Sequence, residues 1–596
     1  MRLQISKEHI ADITSGAAIP IVLGFLFACG TFGAHEGEIP FGQPSFYMYF
    51  LLFALLFLAS FHVVFRFLAK QDDEALNIAE ESTRRRSSKF AWVRFEYGES
   101  WKASFLDCVR IMACWLPYLL LLYPGVMYWD TGDQVAQFFG IPAFGQPSGM
   151  IWDHHPFLDT YLYGAFIWIG HVLTGNYAFG VFLHALAQYA VMGVIIARWL
   201  VYLKTRGLHA RVIRVITCFL CFFPMFPIMF ASMSKDVTYA IVFMAWMLMF
   251  ARLVDSELNL LKSPKFLVGF VLLSLLSSMT KKLGMYIVVF CLVIVVFGKF
   301  KAMLKTISIA ICAFLIAIVS VILPKCYYPV ANIKTAGAQA AYAMPIEMLG
   351  RAAHAYPNDV SVSEKAGIEQ FLLYSWDQIS EQYNPYIADT VTAYNTQENA
   401  STLLLFKAWL KIGVRHPLTY VNAFFALESG WITFSSDVTS INTPNQHGRN
   451  YAVQMDPTLV TQTNPDTFGK LMPNQNEQNR QKVVGSILSM LKNTPILNVL
   501  MYVAVWTAVV PAFVMYYLWR RRKESAIYVG IMQQLPYLVS VALLFVYAVS
   551  LQIEGDRADP TRYMFHALLL APFAMGLLLS GLRHKMTGGK PQSARE

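Results

Sequence analysis

A polar loop rich in ionisable side chains separates two strongly apolar segments in the first third of the chain. The loop, residues 124–156, reads PGVMYWDTGDQVAQFFGIPAFGQPSGMIWDHHP and contains no Lys or Arg. It carries Asp130 and Asp133 three residues apart and, near its end, the pair His154 and His155. Carboxylates and imidazoles beside a membrane segment are costly to keep unless they have a function. The loop is therefore a candidate site for acid–base chemistry, with an ordinary hydrated loop as the alternative.

The composition indicates which class of protein must position this loop. Of the 596 residues, 56% are hydrophobic and 14% are charged, well outside the range of a soluble globular protein. The net charge of +10 comes from short basic clusters between apolar runs, as expected for cytoplasmic loops of a membrane protein. These features predict a polytopic membrane protein and argue against a nucleic-acid partner. The eight Cys show neither a disulfide framework nor zinc-type spacing.

Apolar runs of about 20 residues, enough to cross roughly 30 Å of hydrocarbon, give a topology. The first two runs precede a basic linker that is predicted to be cytoplasmic. In the third run Asp107 and Arg110 lie one turn apart and are predicted to pair. The runs cover residues 12–32, 46–68, 105–123, 157–176, 178–203, 212–232, 236–254, 266–280, 284–298, 306–323, 496–518, 526–551 and 563–582.

Basic loops fix the parity of these runs. Eleven runs follow the linker. Because the linker and the basic C-terminal tail are both predicted to be cytoplasmic, the number of membrane crossings between them must be even. The run at 157–176, which carries Asp159 and His171, is predicted to lie along the interface or to re-enter rather than to cross. The fold prediction is an all-α polytopic membrane protein with about twelve transmembrane helices and both termini inside.

The chain is predicted to have four parts. Residues 1–104 form two transmembrane helices and the basic cytoplasmic linker, and residues 105–323 form a transmembrane core with the first outer loop. Residues 324–494 form an external, mainly helical soluble domain, long enough for a core of its own. Within it, an amphipathic helix is predicted to break at Pro417, and residues 442–479 are predicted to be loop. Residues 495–596 form the C-terminal transmembrane helices and a cytoplasmic tail.

This topology places several cations outside, against the positive-inside tendency. Each lies at a helix end on the face that carries Asp130. Such a set suits a phosphate or pyrophosphate group in the outer headgroup layer, with snorkelling interface residues as the alternative. The cations are Lys235 in SMSKDV, Lys281 and Lys282 in MTKKLG, and Arg557 and Arg562 in EGDRADPTRY.

The ordered set of motifs YPGVMYWDTGDQ, DHHPFLDTYLYG, SKDVTYA, KKLGMY and DPTRY resembles the GT-C superfamily of polytopic glycosyltransferases. Asp130 lies at the position of the family's first-loop acid, and DHHPFLD is similar to the HPP-type segment of protein mannosyltransferases. The likeness covers about residues 105–582 in architecture. This chain adds two N-terminal helices and lacks the Asp-Glu pair of the mannosyltransferases, which leaves the sugar, the acceptor and a divalent metal open.

The resemblance implies a membrane glycosyltransferase with an outward-facing site in a bacterial plasma (cell) membrane. It would transfer a sugar, with inversion, from a polyprenyl-phosphate-linked donor to a hydroxyl of a glycan, lipid or protein, as in cell-envelope and cell-wall synthesis. Asp130 is the expected general base and Asp133 the runner-up. The expected phosphate ligands are Lys235, Lys281, Lys282, Arg557 and Arg562, with His154 and His155 as phosphate or loop-orienting residues. Asp236 is expected to hold Lys235, and Tyr128 and Trp129 to anchor the loop at the interface.

Two other functions compete with this interpretation. A transporter or flippase of lipid-linked glycans would also be polytopic and would carry charges inside the membrane. Such folds commonly have internal repeats and broken helices at the bilayer midplane, and the sequence contains neither. A polymerase or ligase of lipid-linked glycans would differ from a glycosyltransferase only in the acceptor.

Overall fold

The computed structural model describes residues 16–78, 95–127, 129–142, 149–336, 342–372, 374–392, 401–434, 475–524, 527–546 and 560–581. These residues are mainly helical with very little strand, which confirms the predicted all-α class. Seven of their helices are long and apolar enough to cross a membrane. The chain is thus a membrane protein by length and composition of its helices, and the figure of about twelve crossings stays a prediction.

In the described residues the α-helices are α1 (Ala18–Glu36), α2 (Pro44–Ile78), α3 (Trp101–Leu121), α4 (Trp129–Phe138), α5 (Phe157–Thr174), α6 (Tyr177–Thr205), α7 (Ala210–Phe222), α8 (Met225–Phe230), α9 (Lys235–Asp255), α10 (Pro264–Thr280), α11 (Lys282–Val296), α12 (Ala302–Ala317), α13 (Tyr328–Val330), α14 (Ala343–Ala355), α15 (Val362–Glu369), α16 (Trp376–Gln382), α17 (Asp389–Thr392), α18 (Thr402–Arg415), α19 (Pro417–Leu427), α20 (Gln475–Asn493), α21 (Val510–Arg520), α22 (Ile527–Ala542) and α23 (Pro560–Gly581). A wider π-helix, Ile318–Tyr327, joins α12 to α13. The strands, each of two residues, are β1 (Val126–Met127), β2 (Ile151–Trp152), β3 (Ser232–Met233) and β4 (Ile333–Lys334).

The N-terminal helix α1 packs closely on two neighbours because it presents glycines to them. A Cβ atom on Gly24 would lie 2.5 Å from the backbone nitrogen of Ala54 in α2. A Cβ atom on Gly33 would lie 2.4 Å from the backbone oxygen of Phe425 in α19. Both distances are shorter than any real carbon contact. Helix α1 therefore packs against both α2 and α19, although α19 lies within the predicted external region.

The described part of the predicted external region contains a separate apolar core. Buried side chains from α14, α15, α16 and α18 form this core, among them Ile346, Leu349, Trp376, Leu405 and Ile412. The predicted break before Pro417 is present, because α18 ends at Arg415 and α19 begins at Pro417.

One local prediction in this region is wrong. Residues 442–479 were expected to be loop, but the described part, 475–479, belongs to α20. Val484 and Leu488, four residues apart, are buried in the main core and anchor the helix. Gln and Glu are good helix formers, so residues 475–479 extend this helix despite their polar composition.

The predicted pair in α3 is present at the start of a membrane-crossing helix. Arg110 Nη1 lies 2.7 Å from Asp107 Oδ1. The Asp107 carboxylate also accepts hydrogen bonds from the backbone N–H groups of Glu96 and Tyr97. This buried carboxylate is thus satisfied locally, which supports its structural role.

Candidate active site

Two very short strands bring the outer loop to the start of α9. β1 pairs in parallel with β3, with Val126 opposite Ser232 and Met127 opposite Met233. Each strand leads almost directly into a helix, β1 into α4 and β3 into α9. The Thr131 hydroxyl donates to the Met233 carbonyl at 2.6 Å and fastens α4 to β3. The first turns of α4 and α9 therefore lie side by side.

This pairing places Asp130 between two cations. Its Oδ2 atom lies 2.9 Å from Lys235 Nζ at the start of α9 and 2.9 Å from Arg562 Nη1 in the first turn of α23. The guanidinium also stacks over the Tyr563 ring, 4.6 Å from its centroid. The three charged side chains are only 14% to 21% exposed, so their attraction is weakly screened. Residues 105 and 432 positions apart thus form one ionic cluster.

The two cations fix the charge state of Asp130. Burial by itself would raise the pKa of this carboxyl, but Arg562 and Lys235 outweigh burial and hold the pKa well below its ordinary value of 3.8. The carboxylate is therefore ionised across the physiological range. A base of low pKa has little tendency to take a proton, so Asp130 is better suited to hold the cations than to act as the general base expected from the sequence.

Both histidines of the outer loop lie at this cluster. Lys235 Nζ donates to His155 Nδ1 at 2.7 Å, so this imidazole is the acceptor. Burial and the neighbouring Lys235 lower the pKa of His155 well below its ordinary value. The same causes lower the pKa of His154 to about 4. Both rings are therefore neutral at pH 7, and the His154 ring stacks on Trp152 with 4.7 Å between centroids.

A second ion pair lies beside the first. The segment between α10 and α11 is a single extended residue, Lys281, whose Nζ lies 2.7 Å from Asp236 Oδ1. Asp236, which was expected to hold Lys235 in place, forms its ion pair with Lys281, whereas Lys235 contacts Asp130 and His155. Consecutive helical residues do not face each other, which explains the exchange of partners.

Loss of Lys281 is expected to destabilise the fold. Asp236 is 1% exposed, so Lys281→Ala would leave a buried, uncompensated carboxylate. Breaking such a pair costs about 3–5 kcal/mol of unfolding free energy. Thermal unfolding of the detergent-solubilised protein should show a clearly lowered midpoint. The double variant Lys281→Ala, Asp236→Asn should recover most of the loss, and equal midpoints for the single variant and the parent would contradict the pairing.

The third part of the site is a cavity beside Asp153. β2 pairs in parallel with β4, and the Asp153 backbone N–H donates to the Lys334 carbonyl at 2.8 Å. Lys282 Nζ donates to the Asp153 carbonyl at 2.5 Å and lies 3.6 Å from its Oδ2 atom. The carboxylate also accepts a hydrogen bond from Tyr328, and burial raises its pKa. Asp153 and Lys282 line a cavity of about 200 Å³.

The remaining predicted residues divide into two groups. Asp133 is buried in α4, one turn after Asp130. Trp129 is the first residue of α4, but its side chain, together with Tyr128 and Arg557, lies outside the described part of the chain. Among the described residues, no group of three or more His, Cys, Asp or Glu is placed to hold a metal ion.

Sequence reasoning gave no role in the site to two carboxylates of the motif DHHPFLD. Asp153 lines the cavity, and Asp159 in the first turn of α5 is fully buried, with neither carboxylate oxygen hydrogen-bonded. A carboxyl group without water or partner is far more stable protonated. The available signal was the position of both residues beside His154 and His155.

Comparison with known proteins gives one relationship. The family model DUF6020, described as a family of unknown function, matches residues 141–575. The matched region includes Asp153, Lys235 and Arg562 and begins after Asp130. No curated protein and no solved structure matches the chain. Because the match covers well over half of the 596 residues, the chain belongs to the DUF6020 family.

Proposed function

We propose that the protein is a membrane glycosyltransferase. It moves a sugar from a polyprenyl-phosphate-type lipid donor to an acceptor hydroxyl on the outer face of the plasma membrane, with inversion at the anomeric carbon. The observation that carries this proposal is the meeting of Lys235, Lys281 and Arg562 around Asp130 and Asp236 at the ends of apolar helices.

The charge of this cluster supports binding of a phosphate group. Three cations face two ionised carboxylates, so one positive charge is uncompensated among these five side chains. The N-terminus of α9 adds a partial positive charge at Lys235, because the first backbone N–H groups of a helix have no carbonyl partner within the helix. Arg562 supplies a planar guanidinium, which suits the oxygens of a phosphate group. A singly charged phosphodiester matches this surplus.

The same cluster supplies what departure of the phosphate requires. When the bond between the anomeric carbon and the phosphate oxygen breaks, the electron pair leaves with the lipid phosphate and its negative charge increases. Preorganised cations in a poorly hydrated site stabilise that charge more than they stabilise the donor. Asp130 keeps Lys235 and Arg562 in place before the reaction, so little reorganisation is needed.

The positions of the charges favour an enzyme over a transporter. Lys235, Lys281 and Arg562 lie in first turns or at a helix junction, whereas coupled transport sites are typically found near the bilayer midplane between repeats. One experiment separates the two functions. Proteoliposomes with a polyprenyl-phosphate sugar in the outer leaflet should release polyprenyl phosphate only with an acceptor present. Movement of intact donor across the bilayer without release would support transport instead.

Donor binding should depend on pH through His154. A phosphodiester next to this neutral ring would favour its protonated form and restore its pKa toward 6.5. A group that gains a proton on binding makes affinity rise as pH falls, here by about fourfold between pH 7.5 and pH 6. Titration of the purified protein with a polyprenyl phosphodiester would measure this. His154→Gln should remove the dependence, and a flat profile in the parent would rule out phosphate beside His154.

A further inference from the structure

The cavity beside Asp153 is lined by two kinds of side chain. Its polar part contains Asp153, Lys282 and Tyr328, and its apolar part contains Met279 and Leu323 among others. At about 200 Å³ it is larger than the roughly 150 Å³ cavity that accepts a benzene ring. An occupant with one polar end and an apolar body fits both parts.

The surroundings of the cavity indicate the source of that occupant. The π-helix between α12 and α13 forms one wall, and its side chains Val321 and Ile322 are each 44% exposed. Tyr286 of α11, which lines the cavity, is 60% exposed. Exposed apolar side chains on membrane helices face lipid. The apolar part of the cavity is therefore bordered by surfaces that lipid chains contact.

The charges assign different partners to the two halves of the site. A phosphate group is attracted by the cations around Asp130 and repelled by the Asp153 carboxylate. A neutral hydroxyl can donate a hydrogen bond to the Asp153 carboxylate, which is 17% exposed. Asp153 lies 3.6 Å from its cation Lys282, whereas Asp130 lies 2.9 Å from Lys235. The two halves are adjacent, since His154 interacts electrostatically with both Lys235 and Lys282.

We propose that this cavity binds the acceptor as a membrane amphiphile, a hydroxyl group carried on an apolar chain, and that Asp153 is the general base for its deprotonation. This inference rests on the proposed function and names the acceptor class and the base for it. The raised pKa of Asp153 agrees with that role, because a base works best when its pKa lies nearer the operating pH.

The step balances within the site. The acceptor oxygen forms a bond to the anomeric carbon as the bond from that carbon to the phosphate oxygen breaks. The acceptor proton passes to Asp153, and the electron pair of the broken bond leaves with the phosphate toward Lys235 and Arg562. Lys282 and Tyr328 orient the Asp153 carboxylate through their contacts with it.

Photolabelling of the full-length protein in lipid nanodiscs tests the binding part. The probe is a long-chain alcohol with a diazirine in its chain, and labelled peptides are identified by mass spectrometry. Peptides containing Met279, Met285 or Leu323 should be labelled in the parent. Ser320→Trp, which adds bulk at the lining of the cavity, should reduce that labelling at least fivefold, whereas Val321→Trp, on the same π-helix outside the lining, should not. Equal labelling in all three proteins would overturn the cavity assignment.

Sugar transfer tests the catalytic part. Asp153→Asn should retain photolabelling but lose transfer by about a hundred- to ten-thousandfold. A transfer rate equal to that of the parent would overturn the role of Asp153. Efficient transfer to a water-soluble acceptor by Ser320→Trp would overturn the proposed acceptor class. Competition of labelling by polyprenyl phosphate but not by the unlabelled alcohol would instead assign the cavity to the donor. If the parent labels as expected but never releases polyprenyl phosphate, the proposed function fails while the amphiphile site stands.

Discussion

Asp130→Asn is expected to lower turnover by about a hundred- to thousandfold while the affinity for the lipid phosphate stays the same or rises. The carboxylate holds Lys235 and Arg562 at 2.9 Å each, and the neutral amide keeps its shape but not its charge. Without the ionic partner the two cations lose their preorganised positions, and removal of one element of such an electrostatic arrangement typically costs about this factor. Binding gains because the phosphate no longer competes with a carboxylate.

Steady-state kinetics with separate determination of kcat and KM would measure this difference. Asp133→Asn serves as the matched control, since it makes the same chemical change one turn further along α4. We expect it to cost less. Parental kcat in both variants would remove the outer loop from the reaction, and a loss confined to KM would contradict a role in charge stabilisation.

Arg562→Gln is expected to weaken binding of the lipid phosphate by about ten- to a hundredfold. The guanidinium contributes charge-assisted contacts, which are worth roughly 1.5–3 kcal/mol each. Lys235 still pairs with Asp130 in this variant, so no carboxylate is left buried without a cation. Lys281→Ala differs, because it removes the bonded cation of the buried Asp236 and therefore tests folding.

Native mass spectrometry or microscale thermophoresis with polyprenyl phosphate would give the affinity. Arg521→Gln is the control, because Arg521 lies in a basic cluster at the end of α21 on the predicted cytoplasmic face. Arg521→Gln should bind as the parent does. Equal affinity of Arg562→Gln and the parent would mean that Arg562 only snorkels at the interface.

Local sequence patterns predicted the structural features that depend on residues close together in the chain. The pair Asp107 and Arg110 follows from helical spacing, and the helix break before Pro417 follows from the missing proline N–H. The all-α class follows from composition and apolar runs. Charge parity likewise put Asp130, Lys235 and Arg562 on one predicted face of the membrane.

Contacts between distant segments were beyond such patterns. The number of crossings assigns a residue to one face of the membrane but does not show which residues on that face are in contact. Asp236 was therefore expected to hold the adjacent Lys235, and its pairing with Lys281, 45 positions away, was not predicted. The two-residue strands that align α4 with α9 are too short to show alternation. The pKa of Asp130 is lowered mainly by Arg562 and Lys235, and the sequence alone could not place these distant cations beside it.

The proposed function is tested most directly by the products of a purified reaction. The protein in nanodiscs, given a polyprenyl-phosphate sugar and a long-chain alcohol acceptor, should release polyprenyl phosphate and form the glycoside in equal amounts. NMR of the glycoside should show the anomeric configuration opposite to that of the donor, as expected for direct displacement. Absence of both products across donors with different sugars and across alcohol, glycan and peptide acceptors, in protein that still binds polyprenyl phosphate, would contradict glycosyl transfer.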